Sequence, residues 1–126
     1  MDLNSAEFAN EAFYLAFEAK DYAAMDNLWS QAREVVCVHP GWPALIGRAA
    51  VMESWRGILG NPNQGTVSFY GATYQALATD LAVVICYEQA GDATTIATNI
   101  FAEEDGRLRL IFHQAGYCAR PPARPG

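Results

Sequence analysis

The chain has 126 residues, of which 52% are hydrophobic and 17% are charged. It is long enough to bury one core and too apolar to be a disordered chain. Fourteen acidic against eight basic residues give a net charge of −6, which disfavours nucleic acids and anionic membranes as partners. No apolar run reaches membrane-spanning length, and the acidic residues Asp2 and Glu7 are atypical of a signal peptide, so we expect a cytoplasmic protein.

Three cysteines occur, Cys37, Cys86 and Cys118, without any CxxC spacing. Their odd number and wide spacing favour reduced thiols, with the first two acting as small core residues of strands. Zinc held by Cys37, His39 and His113 would lack the spacing of known zinc motifs. The sequence therefore predicts neither a metal nor another cofactor.

The first third of the chain has the apolar spacing of helices. Helix one is predicted from about Ser5 to Lys20, with Asn4 accepting a hydrogen bond from the backbone of Glu7. Asp21 is a predicted cap for a second, shorter helix. The buried side of this second helix would comprise Met25, Leu28 and Trp29.

A strand, a turn and a third helix follow. The apolar run from Val35 to Val38 leads to His39 and a Pro-Gly-Trp-Pro turn, and helical spacing resumes from Gly47 to about Gly60. Strand alternation puts Cys37 and His39 on one face. His39 is therefore a candidate acid or base if that face borders a cavity; alternatively, it caps the turn or binds a neighbouring backbone group.

The second half of the chain reads as four strands. The β-branched and aromatic segments 66–78, 81–89, 94–103 and 108–117 are separated by short polar turns, which is typical of an antiparallel meander. Helices followed by such a sheet predict an α+β fold. One domain is expected over residues 1–118, with a flexible tail rich in proline and arginine over 119–126.

Apolar residues occupy both faces of the last two strands. In the third of these strands, Ile96 and Ile100 lie on the face opposite Asn99. In the fourth, the face opposite His113 carries Leu108, Leu110 and Phe112. A monomer with one solvated sheet face would not need this pattern. We therefore expect a homodimer formed through the outer face of the sheet.

The helix-covered face of the sheet would carry three polar side chains: Asn99, His113 and His39. Burying an unpaired amide or imidazole costs about 1 to 3 kcal/mol, and the neighbouring Ala97 and Ala115 are small. A hydrated pocket would explain both observations, because water would bond to the polar groups and would fill the space that the small residues leave. The alternative is that Asn99 and His113 simply bond to each other across paired strands.

Three helices before a curled sheet, together with the segments HPGWPALIGRAAVMESW and FHQAG, resemble the nuclear transport factor 2-like superfamily and its SnoaL-like group. Relatives include ketosteroid isomerase, polyketide cyclases and the calcium/calmodulin-dependent kinase association domain. The resemblance covers about Ser5 to Tyr117. It implies a cone-shaped α+β roll, with three N-terminal helices packed in a curved antiparallel sheet. FHQAG also resembles the HxHxSG motif of the association domain, with Ile111 and Ala115 replacing its first histidine and its serine.

The resemblance to ketosteroid isomerase also implies site residues. Its base, an aspartate before proline, corresponds to His39, and its protonated aspartate corresponds to Asn99. An imidazole with an ordinary pKa near 6.5 can act as a base at neutral pH, and an amide can donate to an oxyanion. The isomerase's tyrosine donor falls on Phe13, whereas Tyr14 should project about 100° away. Loss of that donor would forfeit roughly 10² to 10³ in rate, so steroid isomerisation is not expected.

The predicted function is a small-molecule pocket protein, either an isomerase, a cyclase or a lyase. His39 would be the general base, Asn99 the oxyanion donor and His113 a second acid or an orienting group, acting on a small apolar or carbonyl-containing ligand. The predicted ligand contacts are Phe13, Cys37, Trp42, Trp55, Tyr87 and Phe101. The alternative is a dimer that binds a ligand or assembles a scaffold without catalysis.

Overall fold

A computed structural model describes residues 1–125 and contains three helices and six strands. The elements are α1 (Leu3–Ala19), α2 (Tyr22–Leu28), β1 (Val36–Val38), β2 (Leu45–Ile46), α3 (Arg48–Gly60), β3 (Ser68–Ala78), β4 (Leu81–Ala90), β5 (Ala93–Glu104) and β6 (Arg107–Tyr117). The strands form one curved sheet in the order β2-β1-β6-β5-β4-β3. All neighbours are antiparallel except β1 and β6, which are parallel. The α+β roll and the predicted meander are confirmed.

The helix ends follow local capping chemistry. In α1, Asp2 is the cap and its carboxylate accepts from the backbone N–H of Asn4 at 2.9 Å, so the predicted Asn4 cap is wrong by two residues. Asp21 caps α2 as predicted, accepting from the N–H of Ala24 at 3.1 Å. Gly47 precedes α3 with φ of +94°, a backbone angle that glycine adopts without strain.

Strand β2 is absent from the sequence prediction. Its two residues, Leu45 and Ile46, pair with Cys37 and Val36 of β1. Two residues are too few to show a strand period. The pairing returns the chain from the Pro-Gly-Trp-Pro turn to the sheet edge and so fixes where α3 begins.

A β-bulge in β6 changes which side chains face the core. Ile100 pairs with Phe112 whereas Phe101 pairs with Leu110, so Ile111 is the extra residue. Leu110 is fully buried, although strict alternation put it on the outer face. Because the bulge shifts the alternation by one residue, both Leu110 and His113 point inward.

The core lies between the helices and the concave face of the sheet. Its largest apolar members are Phe13, Met25, Trp29, Trp55, Phe101 and Leu110. On the opposite face Ile85 and Ile96 are 38% and 37% exposed. No helix within residues 1–125 is long and apolar enough to cross a membrane.

The described part of the predicted tail contacts Tyr70 of the sheet. The hydroxyl of Tyr70 on β3 donates to the carbonyl of Pro122 at 2.9 Å. The guanidinium of Arg124 lies 5.7 Å from the centre of the same ring. Gly126, the last residue of the predicted tail, lies outside the described residues.

Candidate active site

A cavity of about 840 Å³ opens between α3, the turn after β1 and the concave face of the sheet. Three titratable side chains at its inner end come from different elements: His39 follows β1, Glu88 lies on β4 and His113 lies on β6. Most of the remaining wall is apolar. It includes Phe17, Pro40, Trp42, Leu45, Ala50, Ile58, Val67, Ala90 and Ala93.

His39 is only 4% exposed, and its ring lies between two indoles, 4.9 Å from Trp42 and 4.8 Å from Trp55. Its Nε2 is 2.9 Å from Ser54 Oγ, which is 2.6 Å from the carbonyl of Val51. Since a carbonyl only accepts, the Ser54 hydroxyl donates to Val51 and accepts from His39. The His39 proton therefore lies on Nε2, and Nδ1 is unprotonated, with Cys37 Sγ at 3.9 Å.

The environment of His39 favours the neutral imidazole. Burial, reinforced by the nearby His113, lowers its pKa from 6.5 to about 4, although Glu88 acts in the opposite direction. At pH 7 the ring is thus a proton acceptor. The backbone carbonyl of His39 closes the following turn by accepting from the N–H of Trp42 at 2.9 Å, so the backbone serves the turn while the side chain faces the cavity.

His113 has the opposite tautomer. Its Nδ1 is 2.5 Å from Asn99 Oδ1, and Asn99 Nδ2 donates to Asn10 Oδ1 at 2.9 Å and to Tyr14 Oη at 3.2 Å. Because the amide oxygen only accepts, His113 carries its proton on Nδ1 and leaves Nε2 free. Burial lowers the pKa of His113 to about 3.

Asn99 lies behind the cavity and not in its wall. The side chain is fully buried, and the Nδ2 group already donates to Asn10 and Tyr14. The predicted oxyanion donor thus has no geometry for a ligand here. The bond between Asn99 and His113 across paired strands, which was the alternative prediction, is present alongside the cavity.

Glu88 was missed by the sequence prediction. Its carboxyl oxygens accept from the hydroxyl of Tyr14 at 2.7 Å and from that of Thr95 at 2.8 Å, and Oε2 is 3.9 Å from His113 Nε2. Burial raises the pKa of Glu88, and the two hydroxyl donors only partly oppose this. Alternation from Ala82 through Val84 and Cys86 puts Glu88 on the inner face, so the strand period contained the signal.

Tyr14 takes part in this cluster although it was expected to project away. Its side chain is 3% exposed, and its hydroxyl also lies 3.3 Å from Cys86 Sγ. Burial raises the pKa of Tyr14 well above 10, so the phenol stays protonated and donates to Glu88. Phe13, at the predicted donor position, packs among aromatic rings instead, with its ring centre 5.1 Å from that of His113.

Neither thiol of the inner face is activated. Cys37 Sγ lies 3.6 Å from His39 Nε2, but burial raises the pKa of Cys37 to about 12 and that of Cys86 to about 11. Thiols this weakly acidic are not nucleophiles at pH 7. Within residues 1–125 no three His, Cys, Asp or Glu side chains are arranged to hold a metal ion.

Of the six predicted ligand contacts, only Trp42 lines the cavity. Phe13, Cys37, Trp55 and Phe101 are buried in the core behind it. Tyr87 is on the outer face, where its ring lies 5.6 Å from that of Tyr70. Its neighbour Glu88 takes the inward position, because successive residues of a strand point to opposite faces.

A family model for the SnoaL-like domain matches residues 7–119. This chain belongs to the SnoaL-like domain family. Among solved structures, a Streptomyces avermitilis protein provisionally named a dehydratase of the nuclear transport factor 2-like family is 29% identical, with a TM-score of 0.83 over 94% of this chain and 97% of that one. A Thiobacillus denitrificans protein provisionally named a calcium/calmodulin-dependent kinase type II association domain is 30% identical, with a TM-score of 0.77 over 89% and 94%.

A nuclear transport factor 2-like protein of unknown function from Pseudomonas putida shares the fold at 17% identity, with a TM-score of 0.75 over 90% of this chain and 84% of that one. No curated protein matches the chain. The predicted superfamily and SnoaL-like group are therefore confirmed. In this SnoaL-like domain, two neutral imidazoles and a buried carboxyl group surround the inner end of one apolar cavity, an arrangement that can accept and donate protons at a bound molecule.

Proposed function

We propose that this SnoaL-like domain catalyses proton transfer on a small carbonyl compound, as a lyase of the dehydratase type or an isomerase. The observation that carries the proposal is the pairing of His39 with Glu88 in one cavity. Burial lowers the pKa of the imidazole and raises that of the carboxyl. A proton shared by the two therefore favours Glu88, which makes His39 the base and Glu88 the acid.

In the dehydration of a β-hydroxy ketone, His39 Nδ1 takes the proton on the carbon next to the carbonyl. The electron pair of that C–H bond forms the new C=C bond, and the C–O bond of the hydroxyl breaks. Glu88 gives its proton to the departing hydroxyl, which leaves as water. The resulting imidazolium and carboxylate return to their starting forms through water at the cavity mouth.

Asn99 and His113 support this step without exchanging a proton with the substrate. Asn99 fixes the tautomer of His113 through the 2.5 Å bond to Nδ1. His113 Nε2 then faces Glu88 Oε2 as an acceptor at 3.9 Å. We assign Asn99 a positioning role and His113 the role of orienting the substrate and the acid. Similarity to the Streptomyces avermitilis protein provisionally named a dehydratase supports the elimination.

The test uses a simple probe, 3-hydroxy-1-tetralone, whose dehydration gives fluorescent 1-naphthol after tautomerisation. Exchange of the C2 protons of 1-tetralone with D₂O, followed by NMR, reports proton removal alone. His39→Ala should lower both rates by about 10² or more. Glu88→Gln, which keeps an amide in place of the acid, should lower the dehydration rate much more than the exchange rate.

The matched control is Glu103→Gln, because Glu103 is exposed at the opposite end of β5 from the cavity. It should leave both rates unchanged. Equal rates for wild type and His39→Ala, with the fold retained by circular dichroism, would refute the catalytic role.

A second proposal concerns assembly. We infer that the domain forms a homodimer through the outer face of the sheet, because Ile85 and Ile96 remain 38% and 37% exposed on adjacent strands there. The predicted scaffold function without catalysis would rest on this face. Light scattering coupled to gel filtration should give twice the chain mass for wild type and the chain mass for Ile96→Glu. A monomeric wild type at micromolar concentration would refute the dimer.

A further inference from the structure

We propose that the cavity selects a ligand with an apolar ring and a protonated amino group over the corresponding carboxylate, and that Glu53 at the cavity wall is the residue that makes this selection. This inference names the ligand class of the site described above and rests on that cavity being the functional one.

The first support is the sign of the charges in the cavity wall. Two carboxyl side chains line it, Glu53 and Glu88. No lysine or arginine lines it in the part of the chain that the structure describes, which includes every basic residue. The two histidines that line it have lowered pKa values and are neutral at pH 7. An anionic ligand would therefore meet a carboxylate with no cation to offset it.

The second support is that three arginine side chains are bound to partners other than the cavity wall. Arg33 bonds Asp80 at 2.7 Å, and Arg48 bonds Asp26 at 2.7 Å together with three backbone carbonyls. Arg56, on the same helix as Glu53, lies over the ring of Tyr22 at 4.2 Å. These three guanidinium groups thus have partners that are not part of the cavity lining.

The third support is that Glu53 and an exposed aromatic ring line the same cavity. Glu53 directly precedes Ser54, whose hydroxyl binds His39, and the His39 ring is 4.9 Å from that of Trp42. Trp42 is 45% exposed and lines the same cavity as Glu53. An indole face and a carboxylate are the two groups that bind an ammonium ion most readily. The amine would thus lie at the cavity mouth, while the ring reaches towards His39 and Glu88.

The experiment compares three naphthalene probes of similar shape: 1-naphthylmethylammonium, neutral 1-naphthalenemethanol and anionic 1-naphthoate. Their dissociation constants are measured with the full chain by isothermal titration at pH 7 and low salt. Glu53 is exposed to solvent, so its charge should change the dissociation constant of the ammonium probe, and that of the carboxylate probe, by only a few-fold. We expect binding in the order ammonium, alcohol, carboxylate, with about a tenfold difference between the ends of the series.

The Glu53→Gln variant should reduce that difference to about twofold without weakening the neutral probe, and 1 M NaCl should do the same to wild type by screening. Glu103→Gln is the control and should keep the full preference. An ammonium probe that binds no better than the alcohol, or does not bind, overturns the proposal, as does a preference that survives in Glu53→Gln. These outcomes leave the dehydration assay unaffected, so failure of the charge selection is distinguishable from failure of the catalytic proposal.

Discussion

The neutral histidines make the domain sensitive to acid, and the size of the effect follows from the structure. His39 and His113 have folded-state pKa values lowered to about 4 and about 3, whereas in the unfolded chain both return to about 6.5. The unfolded chain therefore binds protons first as the pH falls. The stability that these groups contribute is fully present above pH 6.5 and is lost on acidification below it.

Between pH 7 and pH 5 each histidine should cost about 1.9 kcal/mol of the free energy of unfolding, and the pair about twice that. Glu88 offsets part of this loss, because its raised pKa lets the folded protein hold a proton there that the unfolded chain has not yet bound. Because about one or two kcal/mol is already a large fraction of a typical domain's stability, the remaining loss should be measurable. Urea denaturation followed by circular dichroism at the two pH values measures it.

His113→Gln removes one of the two groups and should reduce the pH dependence by about 1.9 kcal/mol, whatever it does to stability at pH 7. The chain has only two histidines, so NMR of their ring carbons assigns the effect directly. Neither ring should titrate between pH 8 and pH 5. The carbon shifts should report the Nε2–H tautomer for His39 and the Nδ1–H tautomer for His113. A ring that titrates near pH 6.5, or a free energy of unfolding that is equal at both pH values, would refute the reasoning.

Three further changes have definite expected results. Tyr14→Phe removes the 2.7 Å donor to Glu88, so NMR should show a further rise in that carboxyl's pKa, and urea melts a loss of about 1 to 2 kcal/mol. Ser54→Ala removes the hydroxyl that accepts a hydrogen bond from His39, so the rate of probe dehydration should fall roughly tenfold with the fold intact. Gly71 has φ of +65°, and a Cβ added there would lie only 3.0 Å from a tyrosine ring, so Gly71→Ala should lower the free energy of unfolding by about 1 to 3 kcal/mol. Gly116→Ala, with open space around it, should change it by under about 0.5 kcal/mol. Equal urea midpoints for the two glycine variants would contradict that account.

The sequence by itself determined the order of the elements other than β2, and much of the inner face. Helical spacing, turn residues and strand alternation are local patterns, and they placed α1, α2, α3 and the meander within a few residues of their ends. Alternation also predicted that His39, Asn99 and His113 point inward, and all three are buried. The motif HPGWPALIGRAAVMESW carried the family resemblance because its strand, turn and helix start are all local.

Only the tertiary structure decided which of these inward-pointing groups reach the cavity and which lie behind it. Asn99 and His113 share a face, yet one is sealed behind the cavity by Asn10 and Tyr14 while the other reaches it. The bulge at Ile111 turned Leu110 into the core. A strand period specifies a side of the sheet but neither the distance to the opposite helix nor the partner of a buried hydrogen bond. Those depend on how α1 and the curved sheet pack against each other, because only packing brings residues 14 and 88, far apart in the chain, within hydrogen-bonding distance.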